Sequence, residues 1–175
     1  MSEQPDAVGA SASEGHADDE TYAPADLGEV ASVAREFVSG LLESMGLAAE
    51  VAGTVDDERA LIDVTGDDLG VLIGRRGQTL DALQEVTRTA VQRRLRARVR
   101  LLVDVEGYRA RRRASLADYA RAMARRALER GTEIELEPMN AYERKVVHDA
   151  IAEVGGASSY SEGEEPNRKV IVRGD

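Results

Sequence analysis

Two short stretches of this chain carry residue types that could do chemistry on an anion. The first is Gly74-Arg75-Arg76-Gly77, set in Asp68-Leu69-Gly70-Val71-Leu72-Ile73-Gly74-Arg75-Arg76-Gly77-Gln78-Thr79-Leu80-Asp81-Ala82-Leu83. An apolar run ends at the first glycine, and a helical pattern begins just after the second. Paired glycines let the backbone turn tightly and let an anion approach with no Cβ in the way. The helix behind them offers unpaired N–H groups and the positive end of its dipole. Two arginines between the glycines add charge where a row of phosphates would run. The second stretch holds Arg144 and His148, four residues apart and so on one face of a helix. In isolation the same features are met in helix–helix turns with glycine C-caps and on solvated helix faces. The flanking elements decide between these readings.

Stepping outward from the glycine pair, Leu27–Leu47 reads as an amphipathic helix, with Val30, Val33, Ala34, Phe37, Leu41 and Met45 at spacings of three and four. Asp26 with Glu29 forms a capping-box pattern at its start, and Gly46 is a stop. Two short strands follow, Glu50–Val55 and Arg59–Thr65, joined by a turn at Asp56-Asp57. In the second, Ala60, Ile62 and Val64 alternate with Arg59, Leu61 and Asp63. Asp67 or Asp68 can cap a one-turn helix ending at Gly74. Gln78–Leu95 follows as a helix whose apolar face is Leu80, Leu83, Val86, Ala90 and Val91. Arg98–Val105 closes the first half as a strand, with Val99, Leu101, Val103 and Val105 on one side.

The second half opens with an arginine-rich helix, Tyr108–Glu129, with a thin apolar stripe of Leu116, Tyr119, Ala120, Met123 and Ala127. Glu133–Glu137 alternates as a half-buried strand. Ala141–Glu153 is the last helix, with Tyr142, Val146, Val147, Ala150 and Ile151 expected in its core. Ser158–Ser161 and Lys169–Val172 read as two final strands around the loop Glu162-Gly163-Glu164-Glu165-Pro166-Asn167.

The order helix, strand, strand, helix, glycine loop, helix, strand resembles a bacterial (type II) KH domain over about Leu27 to Val105, with Ile73-Gly74-Arg75-Arg76-Gly77-Gln78-Thr79-Leu80 at the Ile-Gly-x-x-Gly-x-x-Leu position. KH domains clamp single-stranded nucleic acid with this loop. Arg144 and His148 resemble the Arg-x-x-x-His signature of the R-three-H module, also associated with single-stranded nucleic acid. The flanks Pro138-Met139-Asn140-Ala141-Tyr142-Glu143-Arg144 and Tyr160-Ser161-Glu162-Gly163-Glu164-Glu165-Pro166-Asn167-Arg168 extend that match. A KH unit followed directly by this module resembles the Jag family, also called KhpB, in the form lacking the N-terminal Jag domain. The resemblance implies an α+β fold with three parts: an acidic disordered tail over 1–26, a KH domain over 27–106, and a small α/β R-three-H domain over 107–175. It implies nucleic-acid contacts at Gly74, Arg75, Arg76, Gly77, Arg144 and His148. It also implies post-transcriptional control connected with growth and cell division, in the cytoplasm. KH units also pair through sheets or helices, which leaves the small single-KH protein KhpA and a homodimer open as partners. A protein-interaction scaffold is therefore the alternative to a single-stranded RNA binder (or a single-stranded DNA binder); the arginines of the glycine loop are what a scaffold has no need of.

The net charge of −10 argues against a polyanion ligand until its distribution is read. Residues 1–26 carry Glu3, Asp6, Glu14, Asp18, Asp19, Glu20 and Asp26 with no Lys or Arg. From Arg88 to Arg130 run Arg88, Arg93, Arg94, Arg96, Arg98, Arg100, Arg109, Arg111, Arg112, Arg113, Arg121, Arg125, Arg126 and Arg130, against only Asp104, Glu106, Asp118 and Glu129. Local charge decides where polyanions bind. The tail lacks apolar periodicity and has neither a basic start nor an apolar run, so it reads as disordered and not as a signal peptide. No segment approaches the ~20 apolar residues of a membrane span. The chain has no cysteine, which excludes disulfides and thiolate metal sites.

Catalysis finds no support in the sequence. The P-loop and His-Glu-x-x-His patterns are absent, His16 lies in the tail, and His148 is the other histidine of the chain. Neither a cofactor nor a metal is implied. With one Phe and five Tyr, base stacking is sparsely provided for. Deleting residues 1–25 is expected to leave the melting temperature nearly unchanged and to tighten RNA binding at low salt, because the acidic tail competes for the arginine surface. Calorimetry with anisotropy titration checks this, and a cooperative loss of structure on deletion would contradict it.

Overall fold

Helix α1, Leu27–Ser44, starts where Asp26 accepts the backbone N–H of Glu29 at 2.9 Å. The computed structural model describes residues 22–174. Of the acidic tail, only Tyr22–Asp26 falls among them; the rest, with His16, lies outside the described residues. Within that short piece the chain already has fixed partners: Arg98 N–H donates to Ala23 O at 2.9 Å, and Ala25 N–H donates to Arg98 O at 3.0 Å. Deleting 1–25, expected above to leave the melting temperature nearly unchanged, would remove both bonds, so a truncation that spares them stops before Ala23.

The chain divides into two compact units, the first ending at Glu106 and the second beginning at Gly107. After α1 the first unit contains β1 (Glu50–Val55), β2 (Ala60–Thr65), α2 (Gly70–Ile73), a 3-10 turn (Arg75–Gly77), α3 (Gln78–Leu95) and β3 (Leu101–Val105). Its sheet has the order β1-β2-β3, with β2 central. β1 pairs antiparallel with β2, Val51 opposite Val64; β2 pairs parallel with β3, Ile62 opposite Val103. A parallel pair cannot be joined by a tight turn. The chain between β2 and β3 therefore crosses over, and the crossover is made of α2, the glycine turn and α3.

The core of this unit is Val30, Ala31, Ala34, Val38 and Leu42 of α1, Ala60, Ile62 and Val64 of β2, Leu80, Leu83 and Val91 of α3, and Leu101, Val103 and Val105 of β3. The strand alternation in β2 and β3 follows the sequence reading. The helical stripes do not follow it fully. In α1, Val33, Phe37 and Leu41 are half-buried and Met45 is exposed, while Val38 and Leu42 are buried in their place. In α3, Val86 is 53% exposed and Thr87 takes the core position. Both helices carry apolar residues over a wide arc, so spacing alone admits two faces one residue apart. Packing against the sheet selects one.

The outer edge of β3 is closed by a side chain of the crossover. Gln84 Nε2 donates to Leu101 O at 2.8 Å, and Val103 N–H donates to Gln84 Oε1 at 2.7 Å. One amide thus acts as a short strand for two backbone groups on the edge, which an edge strand otherwise leaves unpaired.

The second unit contains α4 (Tyr108–Arg130), β4 (Ile134–Glu135), α5 (Ala141–Ala152), β5 (Ala157–Glu162) and β6 (Lys169–Gly174), in a sheet of order β4-β6-β5, antiparallel throughout. The expected strand 133–137 is observed as Ile134–Glu135, with Leu136 N–H still donating to Val170 O at 2.9 Å. Its core joins Leu116, Ala120, Ala124 and Ala127 of α4 to Val147, Ala150 and Ile151 of α5 and Val170 and Val172 of β6. Small alanines on α4 let that helix lie close to its neighbours. Tyr119 and Tyr142, expected inside, are 45% and 61% exposed.

Thr87 is fully buried, and its Oγ1 has no hydrogen-bond partner among the described residues. An unpaired buried hydroxyl costs free energy that an isosteric apolar group avoids. Thr87→Val is expected to stabilise the protein by about 1 kcal/mol, read as a raised midpoint in denaturant unfolding with an unchanged slope.

Candidate nucleic-acid interface

The α2–α3 junction is built by backbone conformation. Gly74 sits at φ +70° and Gly77 at φ +80°, and Arg76 between them is also left-handed at φ +53°. The expected capping of α2 by Asp67 or Asp68 does not occur: Leu69 occupies the cap position without a side-chain bond, and Asp68 itself has a positive φ of 55°. Gly74 N–H donates to Gly70 O at 3.0 Å, which ends α2. A Cβ on Gly74 would lie 2.8 Å from Thr79 Cβ and 3.0 Å from Thr79 N. The first glycine is thus required by both φ and space.

Arg75 and Arg76 are exposed, and Gly77 is buried beneath them. Helix α3 begins at once after Gly77, with no side chain capping its first turn. Gln78 N–H donates back to Arg75 O, and the positive end of the α3 dipole faces the same loop that carries the two arginines. Of the four loop residues singled out in the sequence, Arg75 and Arg76 are exposed, Gly74 is half-buried and Gly77 is buried.

Arg144 and His148 also share one helix, but their surroundings differ from those of the loop. Arg144 is only 9% exposed. Its Nη1 donates to Met139 O at 2.8 Å, and its Nη2 pairs with Glu165 at 2.6 Å. The guanidinium thereby ties the segment before α5 to the β5–β6 loop, where Met139 N–H also donates to Arg168 O at 3.2 Å. The neighbouring Glu143 is buried too and accepts from Arg112 Nε at 2.8 Å, while its backbone N–H donates to the N-cap Asn140 at 2.9 Å. Lys145 is paired with Asp149 at 2.6 Å.

His148 lies between two serines of β5: Nδ1 is 2.6 Å from Ser159 Oγ and Nε2 is 2.8 Å from Ser161 Oγ. In the neutral ring one nitrogen donates to a serine oxygen and the other accepts from a serine hydroxyl. Burial holds the imidazole below its ordinary value of 6.5; Asp149 opposes that shift and Arg144 adds to it. The ring is therefore neutral at physiological pH. Ser159, Ser161 and Glu165 are the residues of this site that sequence reasoning missed. The Ser-x-Ser alternation on a strand was the visible signal, but nothing in the sequence pairs it with a particular histidine.

These features define a class: a protein made of a KH domain followed by an R-three-H domain. Comparison with known sequences agrees with the geometry. The model of the KhpA/KhpB KH domain matches residues 31–103, and that of the R-three-H domain matches residues 114–173. The chain belongs to the KhpB family. It is 36% identical to the RNA-binding protein KhpB of Clostridium symbiosum over 78% of this chain and 63% of that protein. It is 31% identical to that of Bacillus subtilis over 79% of this chain and 68% of the relative. The chain spans less than half of the relatives from Lactiplantibacillus plantarum (42%) and Streptococcus pneumoniae (45%). Among the described residues no helix is long and apolar enough to cross a membrane.

The depressed His148 pKa fixes the sign of a pH effect. The unfolded chain binds this proton more readily than the folded one, so the histidine's contribution to stability is present above its ordinary value and lost as pH falls through the folded one. His148→Asn is expected to flatten the fall in melting temperature between pH 7 and pH 5 relative to the wild type, measured by thermal unfolding across that range. Parallel pH profiles for the two proteins would assign the fall to carboxylates.

Proposed function

We propose that this protein binds single-stranded RNA without catalysis and acts in post-transcriptional control, in the cytoplasm, in connection with cell growth and division. The observation that carries this reading is the glycine loop. Two exposed arginines sit on a left-handed turn against the uncapped start of an 18-residue helix. Backbone N–H groups, dipole and side-chain charge converge there on one anion path. The loop would hold about four nucleotides of backbone, with Gly74 and Gly77 giving close approach and Arg75 and Arg76 giving charge.

Arg144 and His148 form the second grip in this reading. Arg144 reaches a phosphate by exchanging Glu165, whose side chain is 58% exposed, for the ligand. His148 does so as a neutral hydrogen-bonding group beside Ser159 and Ser161. Two weak contacts on one strand reinforce each other, because the second becomes intramolecular once the first is made. A small KH partner of the KhpA type, or a second copy of the chain, is compatible with this use of the loop. The half-buried Val33, Phe37 and Leu41 of α1 supply apolar surface for it.

Arg75→Asp combined with Arg76→Asp tests the reading. Both positions are exposed, so the melting temperature is expected to stay near that of the wild type. Affinity for a labelled single-stranded RNA is expected to fall by about tenfold or more at low salt, since two attractive charges become repulsive at the phosphates. Equal binding by the folded double variant, measured by anisotropy, would sink the proposed clamp.

A further inference from the structure

The arginines of α4 fall into different groups once their partners are known. Arg112 is held by Glu143 at 2.8 Å, and Arg121 by Asp118 at 3.1 Å and Glu153 at 2.8 Å. These bonds fasten α4 to α5 and use the charges up. Arg125, Arg126 and Arg130 are exposed and make no hydrogen bond or ion pair among the described residues. Only Glu129 opposes them in the last three turns of the helix. The helix points Leu116, Ala120, Ala124 and Ala127 into the core, which leaves Tyr119 on the flank of the opposite surface, 45% exposed.

Tyr119 and Arg126 are two turns apart and so lie along one line of the helix, about 10.5 Å from each other. Arg130 continues that line by one more turn. The exposed position between Tyr119 and Arg126 on this side is Ala122, which adds no bulk. We propose that Tyr119, Arg126 and Arg130 form a further single-stranded nucleic-acid site, in which the tyrosine ring stacks a base and the two arginines hold the phosphates that follow. The inference rests on the RNA-binding reading above and lengthens the strand that the chain can cover.

Three observations carry it together. Arg125, Arg126 and Arg130 cluster at the C-terminal end of a helix whose Arg112 and Arg121 are spent on ion pairs, so this cluster is surplus to the fold. The dipole explains Arg130 in the last turn, but it does not explain Arg125 and Arg126 a turn earlier. An aromatic ring left half in water, on a helix with four buried small or aliphatic residues, is placed for a planar ligand; every base presents a π-face to it. An acidic protein segment would use the arginines and have no need of the ring, which is what the experiment separates.

The chain contains no tryptophan, so Tyr119→Trp gives the full-length protein a single indole reporter at the proposed platform. Titration with a labelled single-stranded RNA of about 15 nucleotides, longer than the KH footprint, is read by anisotropy and by indole emission together. The expected result is quenching that saturates with the anisotropy. Tyr119→Ala is expected to weaken binding by about fivefold or more. Arg126→Gln with Arg130→Gln is expected to flatten the log–log salt dependence by about 1.4, the loss of two phosphate contacts on a single strand. Far-UV circular dichroism shows that each variant is folded. Indole emission that stays unchanged at RNA saturation overturns the proposal, including the case in which the arginine variant alone weakens binding and the surface serves polyanions without stacking. If the wild-type chain gives no anisotropy change, the RNA-binding reading itself fails; if it binds, and the Arg75/Arg76 variant does not while the α4 variants match wild type, only this site is lost.

Discussion

Parallel pairing of β2 with β3 is the constraint on which the first unit depends. Two parallel neighbours oblige the chain to leave the sheet, cross it and return. The glycine loop that could bind an anion in this unit is made of that crossing. α2 ends at Gly74, the turn carries Arg75 and Arg76, and α3 starts at Gln78 with no side chain capping its first turn. The same crossing returns a benefit to the sheet, because Gln84 of α3 closes the β3 edge at Leu101 and Val103. The loop is therefore held at both ends by rigid elements.

The second unit solves a different problem. The first turn of its α5 carries two charged residues, Glu143 and Arg144, that are both nearly buried. Buried charges are tolerated when they are paired and hydrogen-bonded. Arg112 supplies the partner for Glu143; Met139 O and Glu165 supply those for Arg144. The signature spacing of Arg144 and His148 thus has a structural use. Arg144 holds the β5–β6 loop, and His148 fastens the edge strand β5 through Ser159 and Ser161. A contact with RNA at this place would draw on a network that already exists, in which ligand and Glu165 compete for one face of the guanidinium.

Seen together, the two units place arginine differently. In the glycine loop, Arg75 and Arg76 are exposed on a turn shaped by the positive φ of Gly74, Arg76 and Gly77. In the second unit, part of the arginine content is consumed by helix–helix ion pairs and part is left over at the end of α4. Total charge, −10 for the chain, describes neither arrangement. Local surplus does, since exposed charges are screened over about 10 Å at ordinary salt.

The sequence by itself determined the order of the elements, the α+β class and the position of the glycine turn. Those features rest on local rules. Period-2 alternation identified Ala60, Ile62 and Val64, and Asp26 and Asn140 cap their helices through their own side chains, as Asp56 closes its turn. Glycines with positive φ could be read from their neighbours because no other residue fits the turn so readily. Tertiary structure alone decided which of two adjacent stripes each helix buries: Val38 and Leu42 over Phe37 and Leu41, Thr87 over Val86, and Ala124 over Tyr119. It also decided which arginines are spent and which remain. Arg112, Arg121 and Arg144 look no different in sequence from Arg125, Arg126 and Arg130. Their long-range partners, Glu143, Glu153 and Glu165, lie 31, 32 and 21 residues away along the chain; of the three, Arg121 alone also has a local ion-pair partner among the described residues, Asp118. Periodicity reports only on neighbours three or four residues apart, so a pairing over such distances exists only once the packing of the helices and strands has set it.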